Sequence, residues 1–500
     1  MSDGGDPWNG WKPLLDELER RNARAREMGG AERVKRLLHD RGKLDARQRI
    51  AQLFDPGTFV EIGAFTGGEE IPADALVAGF GKVDGRTVFA GAEDFSVLGG
   101  SIGLGSMAKR YRICELARQE RVPLVFMLDG AGHRLTSTLK GPGGRAPNDL
   151  LALADMSGEV PMVCLVLGAS AGHGALTSPL SDITIMSEGA SMFTGGPPLV
   201  LAATGENVTK EELGGPKVCA EIAGTAHNVA PDDAAAIALA RRYLSHFPSS
   251  CDEPAPRRSG PDTGPRRLER ILEIMPANDR RPYKILPILE ELVDDGSLFE
   301  IQPRYGRSLV CALAWLGGRS VAIVANNPAV RAGAVDSPAA IKAMDFIATA
   351  DAFGLPLVFL ADNPGVMAGT QAERDGILKW GGKMFKAQRR ARVPKLHVTM
   401  RKSFGFGAVT MGQNPFDKQT LCFAFPGVTM DAMPAVSGGR SAKLDDETQA
   451  KVEARQRSGP WGMAAGMTYD DVIDPRELRN ALLTGLELLE TRRARGARGA

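Results

Sequence analysis

The chain has 500 residues, of which 43% are apolar and 24% are charged, and its 61 Lys and Arg against 60 Asp and Glu leave a net charge of +1. This length exceeds what one ordinary core fills, so two domains of roughly 200 residues or more are predicted. The near-neutral charge gives no case for a nucleic-acid partner or an acidic membrane surface, and no run of about 18 apolar residues predicts a membrane span.

The cysteines indicate a reducing environment. All six are widely scattered without a CxxC pair, which argues against a zinc ribbon. The first eleven residues are polar and glycine-rich and lack the apolar segment of a secretory signal, which argues against a disulfide framework. We therefore expect a cytoplasmic protein, and no metal site is predicted.

Taken in order, the chain begins with a stretch at 12–50 that is rich in Arg, Lys, Glu and Leu and predicts an amphipathic helix followed by a basic helix-turn. Strand and helix patterns then alternate, at 58–62 (strand), 76–90 (two strands joined by the hairpin signal at 84–85), 101–120 (helix) and 123–129 (buried strand). Such alternation predicts an α/β fold.

A glycine-rich octet at 168–175 follows the apolar, strand-like run 160–167 and precedes residues that are able to begin a helix. A strand, a glycine-rich turn and a helix start leave several backbone N–H groups unpaired and pointing one way, which suits negative charge. A second turn of this kind, at 403–408, follows the strand-like run 393–400. Matching residues lie 233 positions apart (403 − 170 = 233), so two anion-stabilising turns are predicted.

The same offset holds from residue 85 to residue 175 without an insertion, and it aligns the tetrapeptide Pro-Leu-Val-Phe at 123–126 with its copy at 356–359. This register predicts an internal duplication. A connector rich in Pro, Arg and Ser at 246–267 separates the copies. We therefore expect one domain at 1–255 and a second at 256–500.

Backbone N–H groups at a helix start stabilise a developing oxyanion by about 3 kcal/mol for each donor. One such site suits acyl or enolate chemistry on a thioester, whereas two suit a reaction in which two substrates each develop an enolate-like oxygen. Biotin-dependent carboxyl transfer is a reaction of this kind. The cofactor itself takes the α-proton of an acyl-CoA, so no strongly basic side chain is required.

Segments outside the turns are similar to those of one family. They are Lys-Leu-Asp-Ala-Arg-Gln-Arg-Ile at 43–50, Asp-Phe-Ser-Val-Leu-Gly-Gly-Ser at 94–101, Thr-Gly-Glu-Asn-Val-Thr at 204–209 and Glu-Glu-Leu-Gly-Gly at 211–215. Over nearly its whole length the chain resembles the carboxyltransferase (beta) subunit of biotin-dependent acyl-CoA carboxylases, the propionyl- and acetyl-CoA carboxylase family. The resemblance implies an α/β fold of two duplicated crotonase-like domains (ββα superhelices), with acyl-CoA on the first and biotin on the second.

The resemblance also implies the site residues. The catalytic residues are those whose amides hold the thioester oxygen, Gly172 and His173, and those whose amides hold the biotin oxygen, Phe406 and Gly407. The implied substrate-binding residues are Gly99, Gly100, Ala131, Gly132 and Val409, and the implied biotin-binding residues are Gly405 and Ala408.

The chain departs from the family pattern at both turns, where His173 and Phe406 stand in place of glycine. An amide donor does not need glycine, but a positive φ or a close approach to substrate does. The loop at 129–134 also differs in part from the family. Val409 lies where the family selects acyl length, and a branched aliphatic residue there favours shorter or more varied acyl groups.

Several side chains have two interpretations. His133 and His173 are either packing residues of a pocket or new acid–base groups, since histidine titrates near neutrality. The basic pair at 109–110 is interpreted as a solvated helix face, with contact to CoA phosphates as the alternative. Asp129 and Asp362, repeated at predicted strand ends, are interpreted as turn or helix-cap residues rather than catalytic bases.

The favoured function is that of a carboxyltransferase subunit, which moves a carboxyl group from carboxybiotin to the α-carbon of an acyl-CoA. The alternatives are a decarboxylase component that runs the reverse half-reaction and a non-catalytic paralogue that serves as the scaffold of a complex. The sequence contains neither a Met-Lys-Met biotinylation motif nor an ATP-binding biotin carboxylase segment. Biotin is therefore expected on a separate biotin carboxylase or carrier subunit, and the family's assembly implies a homo-hexamer, a trimer of dimers.

Overall fold

The computed structural model describes residues 7–136 and 148–496. The chain divides into two compact units: unit 1, formed by Met1–Ser245 with Ser249–Asp252, and unit 2, formed by His246–Pro248 with Glu253–Ala500. Within the described residues, each unit contains one eight-stranded sheet.

The strands of unit 1 are β1 (Val60–Glu61), β2 (Leu76–Val83), β3 (Arg86–Glu93), β4 (Leu124–Gly130), β5 (Met162–Ala171), β6 (Ile183–Ser187), β7 (Ser191–Phe193) and β8 (Asn228–Ala230). They are ordered β1-β2-β3-β4-β5-β6-β8, and β7 pairs with the end of β5. The first three are antiparallel, and the sheet is parallel from β3 onward. The β2–β3 hairpin turns at Asp84 and Gly85, both with positive φ, as the sequence predicts.

The α-helices of unit 1 are α1 (Pro7–Arg26), α2 (Ala31–Leu37), α3 (Ala46–Leu53), α4 (Leu104–Gln119), α5 (Asp149–Asp155), α6 (Pro197–Thr204), α7 (Lys210–Gly214) and α8 (Asp233–Ser245). Its shorter turns are the 3₁₀ helices His39–Arg41, Pro72–Ala75, Leu98–Gly100 and Ala175–Leu180 and the π-helical turn Val218–Ile222. Asp45 caps α3 by accepting from the N–H of Gln48, whose side chain bonds back to the N–H of Asp45. This capping box fixes where the predicted basic helix begins.

The strands of unit 2 are β9 (Phe299–Ile301), β10 (Leu309–Leu316), β11 (Arg319–Asn326), β12 (Leu357–Asn363), β13 (Lys395–Phe404), β14 (Leu421–Ala424), β15 (Thr429–Asp431) and β16 (Asp471–Val472). They are ordered β16-β14-β13-β12-β11-β10-β9, and β15 pairs with the end of β13. As in unit 1, the sheet is antiparallel up to β11 and parallel beyond it.

The α-helices of unit 2 are α9 (Ile271–Ile274), α10 (Leu286–Leu292), α11 (Ser337–Ala352), α12 (Thr370–Arg374), α13 (Ile377–Arg390), α14 (Gly405–Thr410), α15 (Ala435–Ala442), α16 (Asp446–Gln456), α17 (Trp461–Ala465) and α18 (Leu478–Gly496). Short 3₁₀ helices lie at Arg331–Gly333 and Pro475–Glu477. The predicted Leu-rich helix near the end of the chain corresponds to α18.

The two units repeat at the predicted offset. Strands β2 to β5 begin and end 233 residues before β10 to β13, and α4 has the same relation to α11. Even the shift in strand register recurs, between Leu128 and Gly130 in unit 1 and between Ala361 and Asn363 in unit 2. The predicted internal duplication and α/β fold are therefore confirmed.

The parallel strands are buried on both faces, as their near-continuous apolar sequences require. Every residue of β4 and of β12 is buried. Ligands of such sheets bind at the carboxyl ends of the strands, where the chain leaves the core. Among the described ranges, no helix is both long enough and apolar enough to cross a membrane.

Candidate active site

The first glycine-rich turn begins where β5 ends. Gly172 has a φ of 56°, a left-handed conformation that glycine adopts at little cost, and the 3₁₀ helix Ala175–Leu180 follows. The N–H of Gly172 donates to the carbonyl of Phe193 at 3.1 Å, so this amide is already paired. Among the described residues, no carbonyl accepts from the N–H of His173.

The predicted substrate-binding loops lie against this turn. The N–H of Ala131 donates to the carbonyl of Gly99 at 2.9 Å. A Cβ on Gly132 would lie 2.5 Å from the carbonyl oxygen of Ala171, and Gly100 approaches the backbone at the end of β4 equally closely. The structure thus brings the predicted loop residues of unit 1 to the ends of β4 and β5, where Gly100 and Gly132 pack so closely on the backbone that a side chain would be blocked.

The second turn follows β13. Gly405 has a φ of 52°, and a Cβ on it would lie 2.6 Å from the carbonyl oxygen of Ala432. Gly405 begins α14, so Phe406 and Gly407 lie in the first helical turn, where N–H groups have no acceptor within the helix. A Cβ on Gly407 would overlap Oδ1 of Asn363. The two amides predicted to hold the biotin oxygen therefore stand at a helix start.

Aromatic packing accompanies this second turn. The ring of Phe406 packs edge-to-face on Phe385 of α13, with centroids 5.9 Å apart. Ala408 is buried, and the half-buried Val409 offers its carbonyl to Nε2 of Gln388 at 3.0 Å. An apolar wall beside N–H donors is a suitable environment for a neutral ureido ring such as that of biotin, so the residues present fit this group.

A charged network lies under the first turn. Nε2 of His173 is 2.6 Å from Oδ1 of Asp149, the first residue of α5. The other carboxylate oxygen of Asp149 accepts from Nε of Arg110 at 2.6 Å, and Arg110 also contacts Glu93 at 3.2 Å and Oγ1 of Thr177 at 2.7 Å. Asp149 and Arg110 are completely buried, whereas the side chain of His173 is 15% exposed.

The pKa values of the two acids in this network are shifted in opposite directions. Burial raises the pKa of Glu93 to about 7, and Arg110 opposes this only in part. Burial also acts to raise the pKa of Asp149, but Arg110 and the hydrogen bond from His173 outweigh it and lower that pKa to about 2. At neutral pH His173 therefore faces a carboxylate, while Glu93 is divided between its two forms.

Sequence patterns do not reveal the acids of this network. The positions 233 residues after Glu93 and Asp149 are Asn326 and Gly382, so the duplication does not repeat either acid. The other candidate acid–base residue, His133, is exposed, and its backbone pairs with Ile102.

The prediction of a solvated helix face at 109–110 is wrong. Lys109 is 4% exposed and donates to the carbonyls of Ala73 and Leu76 at 2.8 and 2.5 Å, and Arg110 belongs to the buried network. Burial lowers the pKa of Lys109 to about 8. The reason is that α4 packs against β2, β3 and α5, which turns these positions toward the interior of unit 1.

The interpretation of Asp129 and Asp362 as turn or cap residues is also wrong. Each is a buried residue within a strand, β4 or β12, and each carboxylate faces a buried guanidinium. Arg49 approaches Asp129 at 2.9 Å, and Arg401 approaches Asp362 at 2.7 Å. Carboxylates buried this deeply require a paired positive charge, because an unpaired buried carboxylate is strongly destabilising.

Known proteins share this architecture. A family model described as the carboxyl transferase domain matches residues 38–498. The chain belongs to the carboxyl transferase family. The mitochondrial propionyl-CoA carboxylase beta chain of Homo sapiens is 32% identical, over 93% of this chain and 89% of its own length. The methylmalonyl-CoA decarboxylase subunit alpha of Veillonella parvula is 34% identical, over 96% of both chains.

A solved structure agrees with these relatives. The crystal structure of transcarboxylase 12S, described as a hexamer assembly with methylmalonyl-coenzyme A and methylmalonic acid bound, matches this carboxyl transferase with a TM-score of 0.89. The two are 34% identical, and the match covers 96% of each chain. The predicted resemblance to the carboxyltransferase subunits of acyl-CoA carboxylases, the fold and the prediction of an enzyme are confirmed.

Proposed function

We propose that this carboxyl transferase moves a carboxyl group from carboxybiotin on a separate carrier protein to the α-carbon of an acyl-CoA. The observation that carries the proposal is the repeated turn, in which a buried strand, a positive-φ glycine and a helix start follow one another at Gly172 and again at Gly405. One substrate oxyanion needs one such turn, so two turns suit a reaction with two substrates.

Unit 1 is proposed to hold the acyl-CoA. Its principal oxyanion donor is the N–H of His173, and the N–H of Gly172 contributes when it exchanges or shares its bond to Phe193. Each donor aimed at a developing oxyanion contributes about 3 kcal/mol to the transition state. Of the loop residues beside this turn, Gly100 and Gly132 are buried, whereas Gly99 and Ala131 are not, so a thioester would approach the turn past these two small residues.

Unit 2 is proposed to bind the biotin ring, and carboxybiotin supplies the carboxyl group when bound. The amides of Phe406 and Gly407 would orient the ureido oxygen, and the Phe406–Phe385 pair would exclude water from one side of the ring. Gly405 and Ala408, small residues of the same turn, are proposed to bind the ring. Val409 remains the proposed selector of acyl length.

The proposed substrate and assembly draw on the relatives. The human relative is named for propionyl-CoA, and the transcarboxylase 12S structure is described as a hexamer with methylmalonyl-coenzyme A. We therefore propose a short acyl-CoA substrate, a biotinylated carrier as partner and a homo-hexamer. Methylmalonyl-CoA decarboxylase subunit alpha favours a second candidate function, in which the same half-reaction runs toward loss of the carboxyl group.

The test is a carboxyl exchange assay with the full chain. Purified protein is incubated with free biotin and either malonyl-CoA or methylmalonyl-CoA, and transfer of labelled carboxyl groups is followed over a panel of acyl-CoAs. Transfer to any acyl-CoA supports the proposal and begins to name the substrate. Absence of both transfer and acyl-CoA binding, with a biotinylated carrier supplied, would favour the scaffold instead.

A pair of substitutions separates the backbone of His173 from its side chain. His173→Pro removes the N–H and is expected to abolish carboxyl transfer, whereas His173→Gly keeps the N–H and is expected to retain it. Circular dichroism and thermal melting show whether each variant folds. Transfer by a folded His173→Pro protein would contradict the amide as donor.

A further inference from the structure

We infer that His173 and Asp149 form an acid–base pair that moves the α-proton of an acyl-CoA bound in unit 1, without any biotin carrier. This inference rests on the proposed function, because it requires the thioester oxygen to lie at the turn after β5. It adds a second activity, exchange of the α-proton with solvent, which carboxyl transfer itself does not need.

The geometry of the pair favours this role. The carboxylate of Asp149 accepts from Nε2–H of His173 at 2.6 Å, which places the ring proton on Nε2 and leaves Nδ1 able to accept another. Among the described residues, no hydrogen bond reaches that Nδ1. The imidazole also keeps 15% of its surface exposed, so a ligand at the turn can approach it.

The support behind Asp149 is rigid. Its second oxygen is held by Nε of Arg110 at 2.6 Å, and Arg110 is fixed in turn by Glu93, by Thr177 and by the ring of Phe126, 4.4 Å from the guanidinium carbon. A buried carboxylate that orients an imidazole and stabilises its protonated form is the arrangement by which histidine serves as a general base. A merely space-filling histidine at this position would need none of these partners.

The duplication supplies an internal comparison. The position of His173 is occupied in unit 2 by Phe406, and the position of Asp149 by Gly382. Phe406 packs on Phe385, and a phenyl ring has no group that takes up a proton in water. The acid–base pair is therefore present only at the turn proposed to hold the thioester, within the described residues.

The proposed step balances without a further reactant. The α C–H bond breaks, its proton passes to Nδ1 of His173, and its electron pair forms the enolate whose oxygen accepts from the amide of His173. The imidazolium exchanges this proton with solvent. A deuteron from D₂O then returns to the α-carbon, the enolate reverts to the thioester, and the acyl-CoA differs only in its isotope.

The experiment incubates the full chain with propionyl-CoA in D₂O, without biotin or carrier, and follows deuterium at the α-carbon by mass spectrometry at saturating propionyl-CoA. Wild-type protein is expected to incorporate deuterium. His173→Gln keeps the backbone N–H and can still donate to Asp149, but it cannot take up a proton, so exchange should slow by about 100-fold or more. Exchange by folded His173→Gln at the wild-type rate would overturn the inference.

Asp149 is a positioning residue, and its test separates kcat from KM for exchange. The charged groups around the imidazole are Asp149 from α5, then Arg110 from α4 and Glu93 from β3. Asp149→Asn should lower kcat for exchange and leave KM for propionyl-CoA near its wild-type value, because the amide no longer holds the ring proton on Nε2 while the backbone N–H groups of the turn are unchanged. An unchanged kcat in the folded variant would overturn its role.

Asp155→Asn is the matched control, since Asp155 lies on the same helix as Asp149 but is exposed and pairs with Arg118, outside the network. Its exchange rate should equal that of wild type. Carboxyl transfer without exchange in wild-type protein would refute this inference and leave the proposed function standing. Absence of propionyl-CoA binding and of carboxyl transfer would refute both.

Discussion

In unit 1 the turn after β5 lies on a charged network, whereas in unit 2 the equivalent turn after β13 lies on amides and aromatic rings. The side chain of Glu93 accepts the N–H of Asp129 at 2.8 Å, and Asn326, at the equivalent position, accepts the N–H of Asp362 at 3.0 Å. The hydrogen bond is therefore the same in both units. What differs is the charge: Arg110, which contacts Asp149 and Glu93, lies beneath the turn in unit 1, and the equivalent position in unit 2 is Ala343.

The two strand-end aspartates show a similar difference in where their positive partner originates. In unit 2 it is Arg401, on the adjacent strand β13. The equivalent position in unit 1 is Gly168, and a side chain there would collide with the carboxylate of Asp129. Arg49 from α3 fills that role instead, so the N-terminal helices of unit 1 became part of its core.

This comparison indicates that the duplicated fold requires certain groups and leaves others free to vary. Both units keep the strand-end carboxylate, its guanidinium, the side-chain acceptor at the end of β3 or β11 and the positive-φ glycine. Both units also keep a buried lysine on the following helix, Lys109 or Lys342, bonded to backbone carbonyls. The ionisable pair of His173 and Asp149 lies under the turn of unit 1, where the proposed exchange would move the α-proton.

The largest effect is expected from removing either guanidinium. Arg401→Ala leaves the buried Asp362 only the more distant Lys402, at 3.7 Å. It also removes the donor to the carbonyls of Pro276, Asn278 and Arg281. Arg49→Ala removes the guanidinium from two buried carboxylates, Asp129, which keeps Lys43 at 3.4 Å, and Asp233. Each should lower the free energy of unfolding by about 3–5 kcal/mol, measured by urea denaturation.

Second substitutions and a control refine that prediction. Arg401→Ala with Asp362→Asn should regain part of the loss, because the buried carboxylate is neutralised together with its guanidinium. Arg49→Ala with Asp129→Asn should regain less, because Asp233 keeps its charge. Arg112→Ala, which removes an exposed pair with Glu115, should stay within about 0.5 kcal/mol of wild type. Equal losses for all three arginines would contradict the pairing as the cause.

A pH effect of intermediate size should distinguish Glu93 from Asn326. Burial raises the pKa of Glu93 from its ordinary 4.5 to about 7, so its contribution to stability is complete below about 4.5 and is lost as pH rises through about 7. Glu93→Gln should remove this loss, which amounts to at most about 3 kcal/mol. Urea denaturation of wild type and of Glu93→Gln from pH 4.5 to 7.5 measures this loss, as the difference between the slopes of their unfolding free energies against pH.

The difference between slopes cancels other groups, including Asp182, whose pKa burial also raises to about 7. Glu115→Gln on the exposed side of α4 is the control and should follow the wild-type slope. Parallel curves for wild type and Glu93→Gln would show that Glu93 keeps one protonation state across this range.

The sequence predicts the features that the two units share and does not predict those that belong to one unit. The offset of 233 locates both turns, the four central strands and the α4 and α11 helices, because backbone geometry imposes similar residues on both copies. The pair between His173 and Asp149 has no counterpart at the equivalent positions of unit 2, Phe406 and Gly382, and it joins separate elements, so neither the repeat nor a local pattern predicts it. Lys109 did carry a signal: it recurs as Lys342 at the same offset, which a solvated side chain has no reason to do.

The smallest effects should come from adding one methyl group at the equivalent positions Gly174 and Gly407. At Gly407 a Cβ would overlap Oδ1 of Asn363 and lie 2.6 Å from Cα of Gly365, a backbone atom that cannot turn aside. Gly407→Ala should therefore cost about 1–3 kcal/mol. At Gly174 the Cβ would meet Oε1 of Glu93 at 3.3 Å, the end of a flexible side chain, and its φ of −59° suits alanine.

Gly174→Ala should accordingly change the free energy of unfolding by less than about 0.5 kcal/mol, and each glycine serves as the control for the other. The same chemical change at the same place in a duplicated turn differs only in what lies beneath it. A large loss at both positions would mean that the turn itself, rather than the contact with Asn363, requires glycine. A large loss at Gly407 alone would show that unit 2 holds its turn by close backbone packing, whereas unit 1 holds its turn through side chains that can shift.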